Sequence, residues 1–527
     1  RSLRDSARPA TAGPAGGAGA VVLHPPAGGP GHPAISMKRR DLPVIPLTAD
    51  PVRPGVDPDA RAVTLSLDPL GPEDGPRIGL VTLGCDKNTV DSEHMMAALV
   101  GNGARVSDDV QGSEVVIVNT CGFIEAAKEQ SIETILEAVR LKEEGGVRAV
   151  VAVGCMVQRY KDQLEEEIPE VDLFLRLDEL RGLVPELRSL GLLPEEDALI
   201  PNMERPLRVL STETPHTSFL KISEGCDHSC AFCAIPLMRG LHRSSPVDEL
   251  VREARALEAQ GVRELNIVSQ DTTWYGRDVR RSRRSSRGVP PGSGGLLSDL
   301  LSALLADTSI PWFRLFYMYP SGITREMVDL LASQPRLLPY LDMPIQHGSD
   351  RILERMRRPE RQATIRERVR WLRDAVPGLT LRTTVIVGFP GETEDDFRAM
   401  LDLLEEIRFD RVGAFTYSVE EDTLAADMDG HLPEEEKRDR LETLMDVQRE
   451  ISFELNQELV GSRTVALVDR VVPDDPEFGF QARTVGQALD VDGVTHLYPA
   501  HGVGPGDLVE VEITDALDYD LIASVRS

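Results

Sequence analysis

Thr217-Ser218-Phe219-Leu220-Lys221-Ile222-Ser223-Glu224-Gly225-Cys226-Asp227-His228-Ser229-Cys230-Ala231-Phe232-Cys233 is the stretch on which the reading turns. Its first half, 217–225, reads as a strand, and three cysteines spaced C-x3-C-x2-C follow at once. Further apolar runs at 263–270, 312–319, 339–345, 380–388 and 411–418 predict five more strands, with helices between them. This alternation predicts a partial, TIM-like (β/α)6 barrel. Sites in such barrels lie at the C-terminal strand ends, which puts the cysteine loop at the mouth. The run 277–297, with Arg280-Arg281-Ser282-Arg283-Arg284 followed by Pro and Gly, reads as a flexible, solvated insertion.

Toward the N-terminus the pattern changes. Arg77–Cys85, Val115–Cys121 and Ala149–Cys155 read as buried strands, with helices over 91–102 and 124–143. Continuous apolar strands alternating with helices predict a parallel α/β sheet covered on both faces. Cys85, Cys121 and Cys155, separated by 36 and 34 residues, each close one of those strands. Ligand crevices of open α/β sheets lie just beyond the carboxyl ends of the strands, so the three sulfurs are expected to converge. A helix near 178–190 and a Pro/Glu-rich linker lead into the barrel.

Beyond a charged helix at 432–458, short alternating runs such as Thr464–Val468 and Leu508–Ile513 predict a small antiparallel β-barrel. Residues 459–527 carry 12 Asp/Glu against 4 Lys/Arg, a poor surface for RNA phosphate. The whole chain has a formal net charge of -29, which argues against general nucleic-acid affinity and favours a basic partner. Six cysteines in 527 residues exclude a disulfide framework, and with no apolar run long enough to span a bilayer the expectation is a cytoplasmic protein away from membranes. The expected division is 1–75 as a disordered, low-complexity extension, then domains over 76–188, 212–453 and 455–525. Met37 is a candidate start within the extension, since the chain begins at Arg1.

Three thiolates bind three irons of a four-iron cube and leave the fourth open. Structural zinc is the competitor for the tight triad, but it takes four ligands, no fourth cysteine is near, and His228 sits inside the short loop. The C-x3-C-x2-C motif after a first barrel strand resembles the radical S-adenosylmethionine (SAM) enzymes. Both triads in this order, followed by a terminal β-barrel, resemble the methylthiotransferases, from about residue 76 to the C-terminus. That resemblance implies an auxiliary [4Fe-4S] cluster on Cys85, Cys121 and Cys155 and a radical-generating one on Cys226, Cys230 and Cys233. It implies SAM contacts from Phe232, Gln270, Asp271, Gln346, Gly388 and Gly391, and a terminal TRAM domain. Leu83-Gly84-Cys85-Asp86-Lys87-Asn88, Asn119–Ile124 and Ser269-Gln270-Asp271-Thr272 look like the branch acting on ribosomal protein S12, although Asp86 stands where that branch typically has Pro. The implied reaction puts a methylthio group on the β-carbon of an S12 aspartate, using two SAM molecules, an external electron donor and a sulfur source. The alternatives are the same chemistry on a tRNA adenosine, or a non-catalytic metal-binding interaction protein.

Overall fold

The computed structural model describes residues 75–107, 110, 112–194, 208–210, 214–279, 296–473 and 475–526. The expected disorder of residues 1–74 and most of the Arg-rich insertion lie outside them. The N-terminal unit is a five-stranded, all-parallel sheet in the order β2-β1-β3-β4-β5. Its strands are β1 (Arg77–Thr82), β2 (Arg105–Ser107), β3 (Val115–Thr120), β4 (Ala149–Gly154) and β5 (Leu173–Leu175). The side-chain period of two explains why β3 and β4 are wholly apolar. Val115, Ile117, Val151 and Val153 face Met95 and Leu99 of α1 (Asp86–Gly101). Val116, Val118 and Val150 face Ile135 and Val139 of α2 (Glu125–Glu143) and Val157 of α3 (Cys155–Glu167). Both faces are buried, as a parallel sheet requires. The short edge strands β2 and β5 escaped the sequence reading, and α1 starts five residues earlier than expected because Cys85 takes its N-cap position.

The central unit is an open, six-stranded parallel sheet. Its strands are β6 (Thr217–Lys221), β9 (Glu264–Val268), β10 (Trp312–Leu315), β11 (Leu337–Asp342), β12 (Thr380–Val387) and β13 (Arg411–Thr416). A small hairpin, β7 (Ser223–Glu224) with β8 (Arg243–Ser244), brackets the cysteine loop. Alternate strand residues such as Leu220, Ile267, Leu315 and Leu381 pack outward against the helices.

The C-terminal unit is a closed barrel of β14 (Arg463–Val471), β15 (Phe480–Thr484), β16 (Thr495–Leu497), β18 (Leu521–Val525) and β17 (Leu508–Ala516). It is not purely antiparallel, contrary to expectation: β16 and β18 run parallel, which lets five strands close into a ring. This barrel plugs the floor of the central one, at the N-terminal strand ends. Leu467 and Ala488 pack with Trp312, Leu338 and Tyr340, and buried Arg483 pairs with Glu264 and Asp469. Arg314 reaches the same Glu264 at 2.7 Å. The mouth stays at the opposite end. No helix among the described residues is long and apolar enough to cross a membrane.

Candidate functional site

The dispersed triad is assembled by backbone contact between three loops. Cys85 caps α1, Cys121 follows β3 directly, and Cys155 opens α3. Gly84 has φ of +91°, and a Cβ there would lie 2.8 Å from the Cys121 sulfur, so only glycine lets the first two loops touch. A Cβ at Gly122 would stand 2.9 Å from Met156 Cα, which brings the second loop onto the third. Fully buried Asn88 ties all three together. Its Nδ2 donates to the carbonyls of Leu83 (2.8 Å) and Thr120 (3.0 Å), and its Oδ1 faces the Cys155 thiol at 3.6 Å. Asn119 donates to the Asn88 carbonyl, and the Ser131 hydroxyl takes the Cys121 N–H and returns a bond to the Cys121 carbonyl. Burial, reinforced by Cys85, pushes the Cys121 thiol up to about 11. Burial also lifts Cys155 to about 12, opposed by Arg239.

The tight triad is held by its own short loop. Gly225, at φ +75°, presses its Cα against the Gly240 and Leu241 backbone, and the Cys226 N–H donates to the Gly240 carbonyl at 3.0 Å. Asp227 accepts the His242 N–H. His228 is taken by the barrel: its Nε2 lies 2.7 Å from an Asp271 oxygen and its ring stacks on Tyr319 with centroids 4.5 Å apart. Buried Arg358 donates toward the Cys230 sulfur at 3.8 Å, lies over Tyr319, and is paired with Glu360 at 3.1 Å. Burial raises Cys226 to about 12 and Cys233 further still.

The remaining sequence candidates surround that loop. Phe232 meets Phe389 edge to face. Asp271 also caps the turn after β9 through Thr273 N–H and hydroxyl. Ser269 Oγ, Gln270 Oε1 and Thr272 Oγ1, at the end of β9, are buried without a hydrogen-bond partner. Gln346 sits at φ +70° beyond β11, a conformation that non-glycine residues hold only when their surroundings impose it. Here backbone bonds to Thr384 and Ile386 impose it. His347 is a supporting residue: it bonds Glu392, which accepts the Gly388 N–H and pairs with Arg440. Gly388 and Gly391 lie just beyond β12, both at positive φ. The space a Cβ would take is filled by Lys437 at Gly388 and by the Arg355 guanidinium at Gly391, so the close approaches these glycines demonstrably permit are to the protein itself.

What joins the two triads was missed in the sequence. The helix Ile235–Arg239, directly after the tight loop, packs Ala234 and Met238 against Cys155. Arg239 crosses into the N-terminal unit. Its Nη2 donates to Asn88 Oδ1 at 2.5 Å, and its Nη1 donates to Glu224 at 2.7 Å and Asp91 at 3.1 Å. Lys221 pairs with the same two carboxylates. Further around the mouth, Tyr317 OH bonds Asp86 with Lys87 over its ring, and Lys128 pairs with Glu420 beyond β13. No periodicity marks these polar residues; the one available signal was five ionisable or amide side chains crowded around cysteines.

No three His, Cys, Asp or Glu among the described residues converge closely enough for a single metal ion. Thiolates that each take a different iron stand wider apart than ligands of one ion, so the free cysteines and the orphaned polar atoms beside them suit a cluster and a polar cofactor.

Family models match in the same order as the three units. They are an uncharacterized protein family, UPF0004, at residues 77–176, the radical SAM superfamily at 220–404, and the TRAM domain at 460–525. Among curated relatives, the ribosomal protein uS12 methylthiotransferase RimO of Anaeromyxobacter sp. (strain Fw109-5) is 44% identical, over 85% of this chain and 93% of its own. The enzyme of that name from Desulforudis audaxviator is also 44% identical, over 86% and 97%. That from Geobacter sulfurreducens is 40% identical, over 86% and 99%. With radical SAM chemistry come SAM and an iron–sulfur centre. The chain belongs to the ribosomal protein uS12 methylthiotransferase family.

Proposed function

We propose that the enzyme replaces a hydrogen on the β-carbon of an aspartate in ribosomal protein uS12 with a methylthio group. In this reading Cys226, Cys230 and Cys233 hold one [4Fe-4S] cluster and Cys85, Cys121 and Cys155 hold a second, in domains spanning 212–453 and 76–188, with the terminal domain over 455–525. The supporting observation is that a loop carrying one triad contacts the loops carrying the other, through Met238 and Arg239. The uS12 substrate is supported by the names of relatives that align over nearly their whole length.

A cluster with an open iron supplies, when bound, the electron that cleaves SAM to the radical that abstracts hydrogen from an unactivated carbon. No protein base could usefully deprotonate that carbon. The chain's part is to bind, orient and shield. Ser269, Gln270 and Thr272 offer unfilled polar atoms to SAM. Arg358 places a cation beside Cys230, and burial of Cys226 and Cys230, with Cys121 and Cys155 in the other triad, limits water near a reactive radical, while Cys85 stays exposed. Two SAM molecules are consumed per product, one giving its methyl group and one the radical; an external donor supplies electrons, and the sulfur comes from a separate source.

Recruitment is electrostatic. A basic ribosomal protein complements a chain of net charge -29, and the terminal barrel is acidic where an RNA-binding one is expected to be basic. The decisive experiment is mass spectrometry of uS12 and of tRNA hydrolysates from a strain lacking the gene. The expected result is uS12 without its methylthio group and unaltered tRNA; an unchanged uS12 mass refutes the substrate, and a lost tRNA modification transfers the activity to adenosine.

A further inference from the structure

The geometry points to Arg239 as a positioning residue of the dispersed centre: a cation lent by the tight-triad loop that locks Asn88 and offsets the charge of Cys85, Cys121 and Cys155. The inference rests on the reading that those cysteines hold a cluster. Arg239 is almost wholly buried, and its two edges differ. One nitrogen takes Glu224 and Asp91, while the other reaches Asn88, with a second bond to Asp91 at 3.2 Å. The guanidinium and the Cys155 thiol therefore meet at the same Asn88 oxygen, the thiol at 3.6 Å. Lys221 and Lys87 do not substitute. Lys221 is held on Asp91 and Glu224, and Lys87 on Asp86 and the Tyr317 ring.

Asn88 gives the contact its leverage. The amide whose oxygen Arg239 holds is the one whose nitrogen fixes the Leu83 and Thr120 carbonyls, next to two of the three cysteines. Arg239 thus fixes which way that amide faces. A thiolate-ligated cube gains negative charge on reduction, and a buried cation beside it favours the reduced state. The dispersed centre is accordingly completed by a residue of the other domain.

The test is a potentiometric titration, followed by electron paramagnetic resonance, of the reconstituted full chain saturated with SAM so that the two centres are distinguished. Arg239→Met is expected to lower the reduced-to-oxidised ratio of the dispersed centre at least tenfold at fixed potential, which is 59 mV for one electron. Arg239→Lys is expected to restore most of that shift. Glu224→Gln, which removes a carboxylate paired with the guanidinium, is expected to shift the ratio the opposite way. Iron content per chain is the folding control. Iron retained with an unmoved potential in Arg239→Met, or equal shifts for the Met and Lys variants, overturns the assignment. If Arg239→Met loses its iron, Glu224→Gln decides alone: an unmoved potential there also overturns it. A parent chain that binds only about four irons rather than about eight sinks the two-cluster reading instead.

Discussion

The two triads reach similar surroundings by opposite routes. Cys226, Cys230 and Cys233 lie within eight residues, on a loop whose shape is set by its own backbone and by the hairpin of β7 and β8. Cys85, Cys121 and Cys155 span 71 residues and meet because three parallel strands end together and Asn88 binds all three loops. A local motif tolerates change elsewhere; a tertiary one depends on distant packing. Damage to packing should therefore separate the two centres.

The largest separation is expected from the cysteines themselves. Cys226→Ala should abolish SAM cleavage, whereas Cys155→Ala should leave cleavage measurable while methylthio product falls by more than the roughly 10–100-fold typical of losing an outer partner. Equal loss of cleavage in both variants breaks the comparison. Next, Asn88→Ala should cost about 10–100-fold in product formation and lower the iron held by the dispersed site, with little change at the tight one. Iron analysis and the yield of 5′-deoxyadenosine read the two separately.

Smaller in effect is a matched pair of glycines. Gly84→Ala and Gly225→Ala both force a side chain into positive φ, at a cost of about 1–3 kcal/mol by denaturant unfolding. Only Gly84→Ala should displace a ligand of the dispersed triad, because its Cβ meets Cys121.

A joint remote from both triads gives the control. Burial opposes ionisation of Glu264 and Asp469, but Arg483, with Arg314 at Glu264 and His216 at Asp469, outweighs it and holds both carboxyls below their usual range. Their stabilisation is fully present above the ordinary carboxylate range and is lost as pH falls through the depressed values. Denaturation midpoints should thus be insensitive to these groups between pH 5 and 8 and drop below about pH 4. Glu264→Leu strands buried Arg314, takes one of the two carboxylates of Arg483, and should cost about 3–5 kcal/mol at neutral pH. It should move both centres equally, since it touches neither.

The sequence was legible where local rules dominate. The apolar strands β3 and β4, the strand-end cysteines and the C-x3-C-x2-C loop are all written in short windows. The edge strands β2 and β5, three residues each, carry too little pattern to stand out. The parallel pairing of β16 with β18 is a property of ring closure, not of either segment. Asp91, Lys221, Glu224 and Arg239 read as ordinary polar residues and Asn88 only as part of a branch motif, because what makes them matter is burial at a boundary between two domains that no local window contains. At Gly388 and Gly391 the neighbours that meet the Cβ position, Lys437 and Arg355, come from elsewhere in the chain, beyond the reach of a local window.

The plugged floor of the central barrel has a consequence for traffic. Leu467, Ala488 and Arg483 pack across the N-terminal strand ends, which leaves the end that carries the cysteine loop as the side of approach. SAM and the reacting side chain would enter by that end, a doorway partly lined by Asp86 and Lys128 of the N-terminal unit. Any part of the substrate held by the acidic barrel would wait at the opposite end from that door.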